Sequence, residues 1–378
     1  YSMKVFNETV KSVSEKEGIY SKLSELDKYV RANYVDDIDE DSLMDSIMSG
    51  YVAGLGDRYA VYYTPEAYAE LNQKDAGVMV GLGFKWDKEE SGYIRITEVT
   101  AGSSADQAGL VAGDIITAVN NTDVIAYEKG YDEAVLLLNC EEGTKVKLHI
   151  KRANESGYSE FFSVDLVSEK TEVVSVTGRL IDNVGYVKIT TFNDKTPDQF
   201  RNIVNGLIAD GAESLVFDVR GNLGGLVESL QGTLDCILGD ADVVTAYFTD
   251  KEEVVVKTTE AEQIKMPMAV LVNGNTASCS ELFALALRDE AGAQIVGTQT
   301  YGKGVMQYTH KLTGGAAVRI TVATLRTKNS GDYNGIGIKP NFDVALPADV
   351  DLSLLDEEQQ LRSDTQLIKA IEVVQTIQ

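Results

Sequence analysis

Three short segments carry residue types that could attack an amide or ester carbonyl without a metal. The run Asn273-Gly-Asn-Thr-Ala-Ser278-Cys279-Ser280-Glu281 lies between an apolar stretch, Met268-Ala-Val-Leu-Val272, and a helical pattern. A serine on such a sharp strand-to-helix turn is exposed above a helix N-terminus. The helix dipole favours an alkoxide there, and the next peptide N–H can help hold an oxyanion. The run Arg220-Gly-Asn-Leu-Gly-Gly225 follows a second apolar stretch, Ser214-Leu-Val-Phe-Asp-Val219. Its glycines let a ligand approach the backbone, and their N–H groups can face a negative oxygen. The third run, Tyr301-Gly-Lys303-Gly-Val-Met-Gln307, sets a lysine between two glycines, so that the amine can turn inward. A lysine serves as general base only if its pKa falls from about 10.4 toward ~7–8, which desolvation can achieve. Taken singly, each run also fits something plainer: a helix cap, a tight turn, a solvated loop lysine. A phosphate loop fits poorly, because G-x-x-x-x-G-K-[ST] is absent.

The elements that must position these runs follow from periodicity. Leu23, Leu26, Val30 and Tyr34 form one apolar helix face, and Leu43, Ile47 and Tyr51 another. The acidic run Asp36 to Asp41 suits a turn and a helix N-terminus, and Thr64-Pro65 reads as an N-cap followed by Pro at N1. From about residue 77 short strands and glycines take over. Ile94–Val99, Ile115–Val119 and Lys145–Ile150 read as strands, the second followed by the turn Asn120-Asn121, with helices at Ser104–Ala108 and Tyr131–Leu138. From about 170 the order becomes strand–helix–strand. Val184–Ile189 is a strand, Thr196-Pro-Asp-Gln199 reads as a capping box, and Phe200, Ile203, Val204, Leu207 and Ile208 line a helix face. The runs 214–219 and 268–272 read as strands covered on both faces, followed by helices at about 226–238 and 280–290. These elements divide the chain into a helical region over 1–74, a β-rich module over 75–168 and an α/β domain over 169–378.

Composition limits the function classes. The chain has 378 residues, enough for about two to three domains at roughly 150 residues each. It carries 59 acidic and 34 basic residues, a net charge of −25. Such a surface repels phosphate backbones, so nucleic acid is not an expected partner. Three scattered cysteines and two histidines give no zinc pattern, and no metal or cofactor is expected. No apolar run approaches the ~20 residues of a membrane-spanning helix.

The β-rich module holds a further pattern. Gly81-Leu82-Gly83-Phe84 resembles the carboxylate-binding loop of a PDZ domain, and Gly109-Leu110 with Gly113-Asp114-Ile115-Ile116 resembles that domain's later A-G-L-x-x-G-D-x-I run. Successive N–H groups of such a loop make a nest for a terminal carboxylate, and an extended peptide adds to the neighbouring strand. With the three runs above, nearly the whole chain resembles the carboxy-terminal processing proteases, serine peptidases of family S41 with a PDZ domain. Thr276-Ala-Ser-Cys-Ser-Glu281 matches the family's [ST]-A-S-A-S-E run, and the Ser-to-Lys interval, 303 − 278 = 25, agrees with it. Gly54-Leu-Gly-Asp57 with Tyr59 and Gly335-Ile-Gly-Ile-Lys-Pro340 also match, while Cys279 stands where Ala is usual and Met306 where Val is.

The resemblance implies an α/β multi-domain fold: N-terminal helical region, PDZ domain and crotonase/ClpP-like core. It implies Ser278 as nucleophile, Lys303 as base and Gln307 orienting that lysine. The oxyanion hole falls to the Cys279 N–H and to one of Gly224 and Gly225, between which the sequence does not choose. Expected substrates are unfolded or flexible protein C-termini. A regulatory protein, a homodimer through the N-terminal helices, and an extracytoplasmic bacterial setting with an N-terminal membrane anchor preceding this chain are further expectations. The competing readings are an inactive peptide-binding relative of the same fold, and a cysteine protease built from Cys279 and His310.

Overall fold

The computed structural model describes residues 2–153, 158–248, 253–259, 263–348, 350, 352 and 355–376, with side chains from residue 17 onward. Internal contacts divide the chain after Tyr62. The first unit holds the helices Ser2–Asn33 and Glu40–Ala53. Asp39, within the acidic run, caps the second by accepting from the Ser42 N–H at 3.1 Å. Of the first helix's apolar stripe, Leu26 remains exposed in this unit, as does Tyr34 just past the helix end.

The second unit begins with the helix Pro65–Asp75. Its N-cap is Thr64, whose hydroxyl accepts from Ala67 N–H, as the Thr-Pro pair predicts. Val78–Gly81 then pairs antiparallel with Glu169–Glu172, so the strands entering and leaving the β-rich module form one two-stranded ribbon. Between them lies a sheet in the order Phe84–Lys88, Ile94–Val99, Ile115–Val119, Lys145–Ala153, Ser159–Val167. Phe84–Lys88 is an edge strand. Asn120 and Asn121 both take positive φ, 49° and 67°, and turn the chain into Thr122–Asp123. That left-handed pair matches the twist of a two-residue hairpin. Asp114 of the Gly-Asp run is fully buried and bound by the Arg152 guanidinium at 2.6 and 2.7 Å.

The α/β domain is a six-stranded sheet in the order Val176–Ile181, Val184–Ile189, Ser214–Asp218, Met268–Val272, Gln294–Gly297, Phe342–Asp343. The first pair is antiparallel and the rest are parallel. Ser214–Asp218 and Met268–Val272 are buried at every position, as their unbroken apolar runs require. One face packs on the helices Thr196–Ala209, Val227–Asp235 and Cys279–Ala291 around Phe192, Phe200, Phe217 and Phe283. The other is covered by the C-terminal helix Thr365–Thr376 through Leu367, Ala370 and Val374. A separate antiparallel group joins Val305–Lys311, Ala317–Arg326, Ala241–Phe248 and Glu253–Thr258.

One expected cap is not formed. Thr196 is already inside its helix, Lys195 occupies the N-cap position, and no side chain caps there. The Thr196 hydroxyl instead accepts from the Asn193 N–H and donates to Thr191 O, while Gln199 reaches sideways to the N–H groups of Ser175 and Val176. Tertiary partners outcompete the local box at both of its residues. The helix expected to run to about 238 also ends earlier, at Asp235.

Candidate active site

Three adjacent parallel strands each deliver one loop from their C-terminal ends, the place where open α/β sheets bind ligands. Ser214–Asp218 leads to 220–225, Met268–Val272 to 273–278, and Gln294–Gly297 to 298–304. The third strand, four residues long, was not legible in the sequence, yet it carries Lys303 to its neighbours.

The loops are stitched together by backbone and side-chain hydrogen bonds. Ala277 N–H donates to Asn222 O at 3.0 Å, and Tyr301 N–H to Thr276 O at 3.0 Å. Gly221 N–H donates to Asn273 Oδ1 at 3.1 Å. Ser278 sits at the N-cap of Cys279–Ala291 with φ 59° and ψ −121°. A non-glycine residue with positive φ is uncommon and costs of order 1–3 kcal/mol outside the favoured regions, so the surrounding bonds must hold it.

Glu281 supplies the strongest of those bonds. Its carboxylate is fully buried. Oε2 accepts from the Ser278 N–H at 2.8 Å and from the Lys303 N–H at 2.8 Å. Oε1 accepts from the Gly302 N–H at 2.8 Å and from the Thr300 hydroxyl. One oxygen atom therefore ties the main chain of the candidate nucleophile to that of the candidate base. The sequence signal was present as the Ser-x-x-Glu spacing of a capping box; what it could not show is that the same carboxylate reaches a loop 22 residues away.

The glycines beside Lys303 have a packing reason. A Cβ on Gly302, at φ +88°, would lie 2.5 Å from Gly337 N, and one on Gly304 would lie 3.1 Å from Asn334 Cβ. The 334–337 loop passes that close, and Gly335 N–H donates to Gly302 O at 2.8 Å. Lys303 itself is half-buried. Gln307 lies on Val305–Lys311, where its Nε2 donates to Thr321 Oγ1 at 3.1 Å.

The glycine-rich turn faces the serine. A Cβ on Gly224, at φ +100°, would sit 2.9 Å from Ser278 Cβ and 3.0 Å from Cys279 N, so only glycine keeps that space open. The Gly224 N–H donates to Asn222 Oδ1 at 2.8 Å. Among the described residues the N–H groups of Gly225 and Cys279 have no protein acceptor. The Cys279 side chain points inward: its thiol is buried, donates to Gly225 O at 3.3 Å, and is pushed up to about 11 by burial. His310 lies exposed farther along its strand, opposite Val318.

Behind the turn, Arg220 is nearly buried between two carboxylates. It donates to Asp218 at 2.9 and 2.6 Å and to Asp364 at 3.0 and 2.8 Å, and a further bond reaches Gln366 Oε1 at 2.9 Å. Tyr186 donates its hydroxyl to Asp218 at 2.7 Å. The start of the C-terminal helix is thereby locked to the start of the glycine-rich turn. Burial alone would raise the Asp218 carboxyl; the Arg220 guanidinium outweighs it and holds the group below the usual carboxylate range.

In the β-rich module, the carbonyls of the Gly81–Phe84 loop are taken up from behind. Leu82 O accepts from Ala105 N–H at 3.1 Å, and Gly83 O from Thr100 N–H at 2.8 Å and from Ser103 Oγ at 3.2 Å. Among the described residues the N–H groups of Leu82 and Gly83 donate to no protein acceptor. The side chains of Leu82 and Phe84 are buried, and the edge strand Phe84–Lys88 follows directly. The described residues contain no cluster able to hold a metal, and no described helix is long and apolar enough to cross a membrane.

Residues 183–344 match peptidase family S41, and residues 95–152 match a PDZ domain. The carboxy-terminal processing protease CtpA of Bacillus subtilis is 28% identical over 356 residues, covering 93% of this chain and 75% of that protein. A probable CtpA-like serine protease of Staphylococcus haemolyticus is 30% identical over 347 residues, covering 88% of this chain and 66% of the relative. Among solved structures, the photosystem II D1 C-terminal processing protease superposes with a TM-score of 0.50 at 26% identity and covers 89% of each chain. Fold and sequence together define an S41 peptidase carrying a PDZ domain. Within that family the chain belongs with the carboxy-terminal processing proteases.

Proposed function

We propose that the chain is a serine endopeptidase with a Ser278–Lys303 dyad, acting on proteins selected by their C-terminal tails. The observation that carries this reading is the single Glu281 oxygen holding the peptide N–H groups of both residues at 2.8 Å. Lys303, neutral, takes the proton from the Ser278 hydroxyl, and Oγ attacks the scissile carbonyl. The oxyanion is held by the N–H groups of Cys279 and Gly225; the Gly224 N–H is committed to Asn222, which favours Gly225 of the two glycines. Lys303 then gives its proton to the leaving amine, and water hydrolyses the acyl-enzyme.

The inward thiol of Cys279 argues against the cysteine reading, and the closely tied Ser278 and Lys303 loops against an inactive relative. Digestion of an unfolded protein, with cut sites mapped by mass spectrometry, tests the assignment. Ser278→Ala should abolish cleavage in a folded enzyme. Lys303→Arg should be as inactive as Lys303→Ala, because a guanidinium stays protonated. Cleavage by Ser278→Ala at the wild-type rate would sink the proposal.

The PDZ module gives the tail selection. Its loop N–H groups suit a free carboxylate and its edge strand an extended peptide. The loop begins where the Val78–Gly81/Glu169–Glu172 ribbon ends. A bound tail can therefore bear on the connection to the catalytic domain, and we favour gating over plain tethering. We further propose a homodimer through the N-terminal helices, supported by exposed Ile19, Leu23 and Leu26, together with a regulatory protein partner and an extracytoplasmic location. Sedimentation, affinity capture and cell fractionation test these in turn.

A further inference from the structure

We propose that Thr321 is a positioning residue for the base: its hydroxyl holds the Gln307 amide so that the amide oxygen is presented to the Lys303 amine. The inference rests on the Ser278–Lys303 reading above. Gln307 and Thr321 are half-buried and stand directly opposite each other in the antiparallel pair Val305–Lys311 and Ala317–Arg326. Gln307 Nε2 donates to Thr321 Oγ1 at 3.1 Å.

A regular ladder would not make this pair. Met306 opposes Ala323, so an unbroken register would set Gln307 against Val322. The register slips between Met306 and Gln307, and Thr321 becomes the partner instead. Val322 offers no side-chain oxygen and packs with Met306 against the core. Such bulges re-aim side chains and are over-represented beside active sites. Here the slip brings a hydroxyl to a residue that needs one.

A primary amide has a donor end and an acceptor end. With its NH2 group spent on Thr321, Gln307 has its oxygen left to accept from the lysine amine, which turns the nitrogen lone pair toward Ser278. Without the hydroxyl the amide is free to flip, and an NH2 group facing the amine supplies a donor where an acceptor is required.

The test is steady-state kinetics on the full chain with an internally quenched peptide, with folding followed by circular dichroism. A misaimed base keeps only part of its contribution, so Thr321→Val should lower kcat about 10-fold with KM within about twofold. Thr321→Ser, which keeps the hydroxyl, should stay within about threefold of wild type. In a Gln307→Ala background Thr321→Val should cost nothing more, because the two act in series. Wild-type kcat in Thr321→Val, no rescue by serine, or losses that multiply with Gln307→Ala would each overturn the proposal. Failure of the underlying dyad reads out separately, as normal cleavage by Ser278→Ala or Lys303→Ala whatever stands at 321.

Discussion

Replacing Glu281 by Gln tests whether one buried carboxylate assembles the site. The carboxylate accepts four hydrogen bonds, two on each oxygen. Glutamine keeps the shape but turns one oxygen into a donor. If the amide nitrogen replaced Oε2, it would face the N–H groups of both Ser278 and Lys303. If it replaced Oε1, it would face the Gly302 N–H, while Thr300, which already accepts from Ile338 N–H at 2.7 Å, could also accept from the amide. The second orientation is the cheaper one. It strands the Gly302 N–H and the Thr300 hydroxyl proton, at about 1–3 kcal/mol each, and weakens the two remaining bonds from charged to neutral, roughly 1 kcal/mol each. The expected loss is thus about 4–8 kcal/mol, a large part of a typical domain's total stability. A displacement near 1 Å in either loop can cost roughly 100-fold in rate. Urea unfolding by circular dichroism, beside kcat/KM on the quenched peptide, measures both. A Glu281→Gln enzyme within about 0.5 kcal/mol of wild type and equally active would show that this carboxylate does not assemble the site, since each of these costs would have to vanish.

Other parts of the molecule give further tests. The Cys279 thiol, pushed up to about 11 by burial, should resist iodoacetamide at pH 8 in the folded enzyme, and Cys279→Ala should stay active; a mass shift on the peptide containing Cys279, with loss of activity, would contradict the inward placement. Because Asp218 is held below its unfolded pKa, its share of stability is full above about pH 4 and fades as pH falls through the folded value, so the melting temperature should drop on acidification. Arg220→Met leaves two buried carboxylates uncompensated, should cost about 3–5 kcal/mol, and should reverse that trend, gaining stability as the carboxylates take up protons; an unchanged melting profile would argue against the buried network. A peptide ending in Ala-Ala, added in trans, should speed cleavage of a slow reporter while its C-terminal amide does not; stimulation by both, or by neither, would exclude gating through the carboxylate loop.

Much of this architecture is written locally in the chain. The runs 214–219 and 268–272 are apolar throughout, which suits strands buried on both faces, and they are central strands here. The Thr64-Pro65 cap, the Asn120-Asn121 turn and the helix Tyr131–Leu138 depend on neighbours within a few positions, so residue type and spacing suffice to find them. The candidate serine, lysine and glycine-rich turn were legible for a related reason: each sits where an apolar run, a glycine and a reactive side chain meet in one short segment. Partners that are remote in sequence were not legible. The four-residue strand Gln294–Gly297 has too little pattern to stand out, and only the sheet brings it beside Met268–Val272. Thr196 and Gln199 spell a capping box, but the fold offers both side chains other partners. Arg220 meets Asp364 across 144 residues, and no spacing rule reaches that far. Whether the Gly224 N–H is engaged likewise turns on where the Asn222 side chain points, and the proposed preference for Gly225 as oxyanion donor rests on that contact. Local sequence sets backbone preference and burial pattern; which donor meets which acceptor is decided by proximity in the folded chain, and the candidate site consists almost entirely of such meetings.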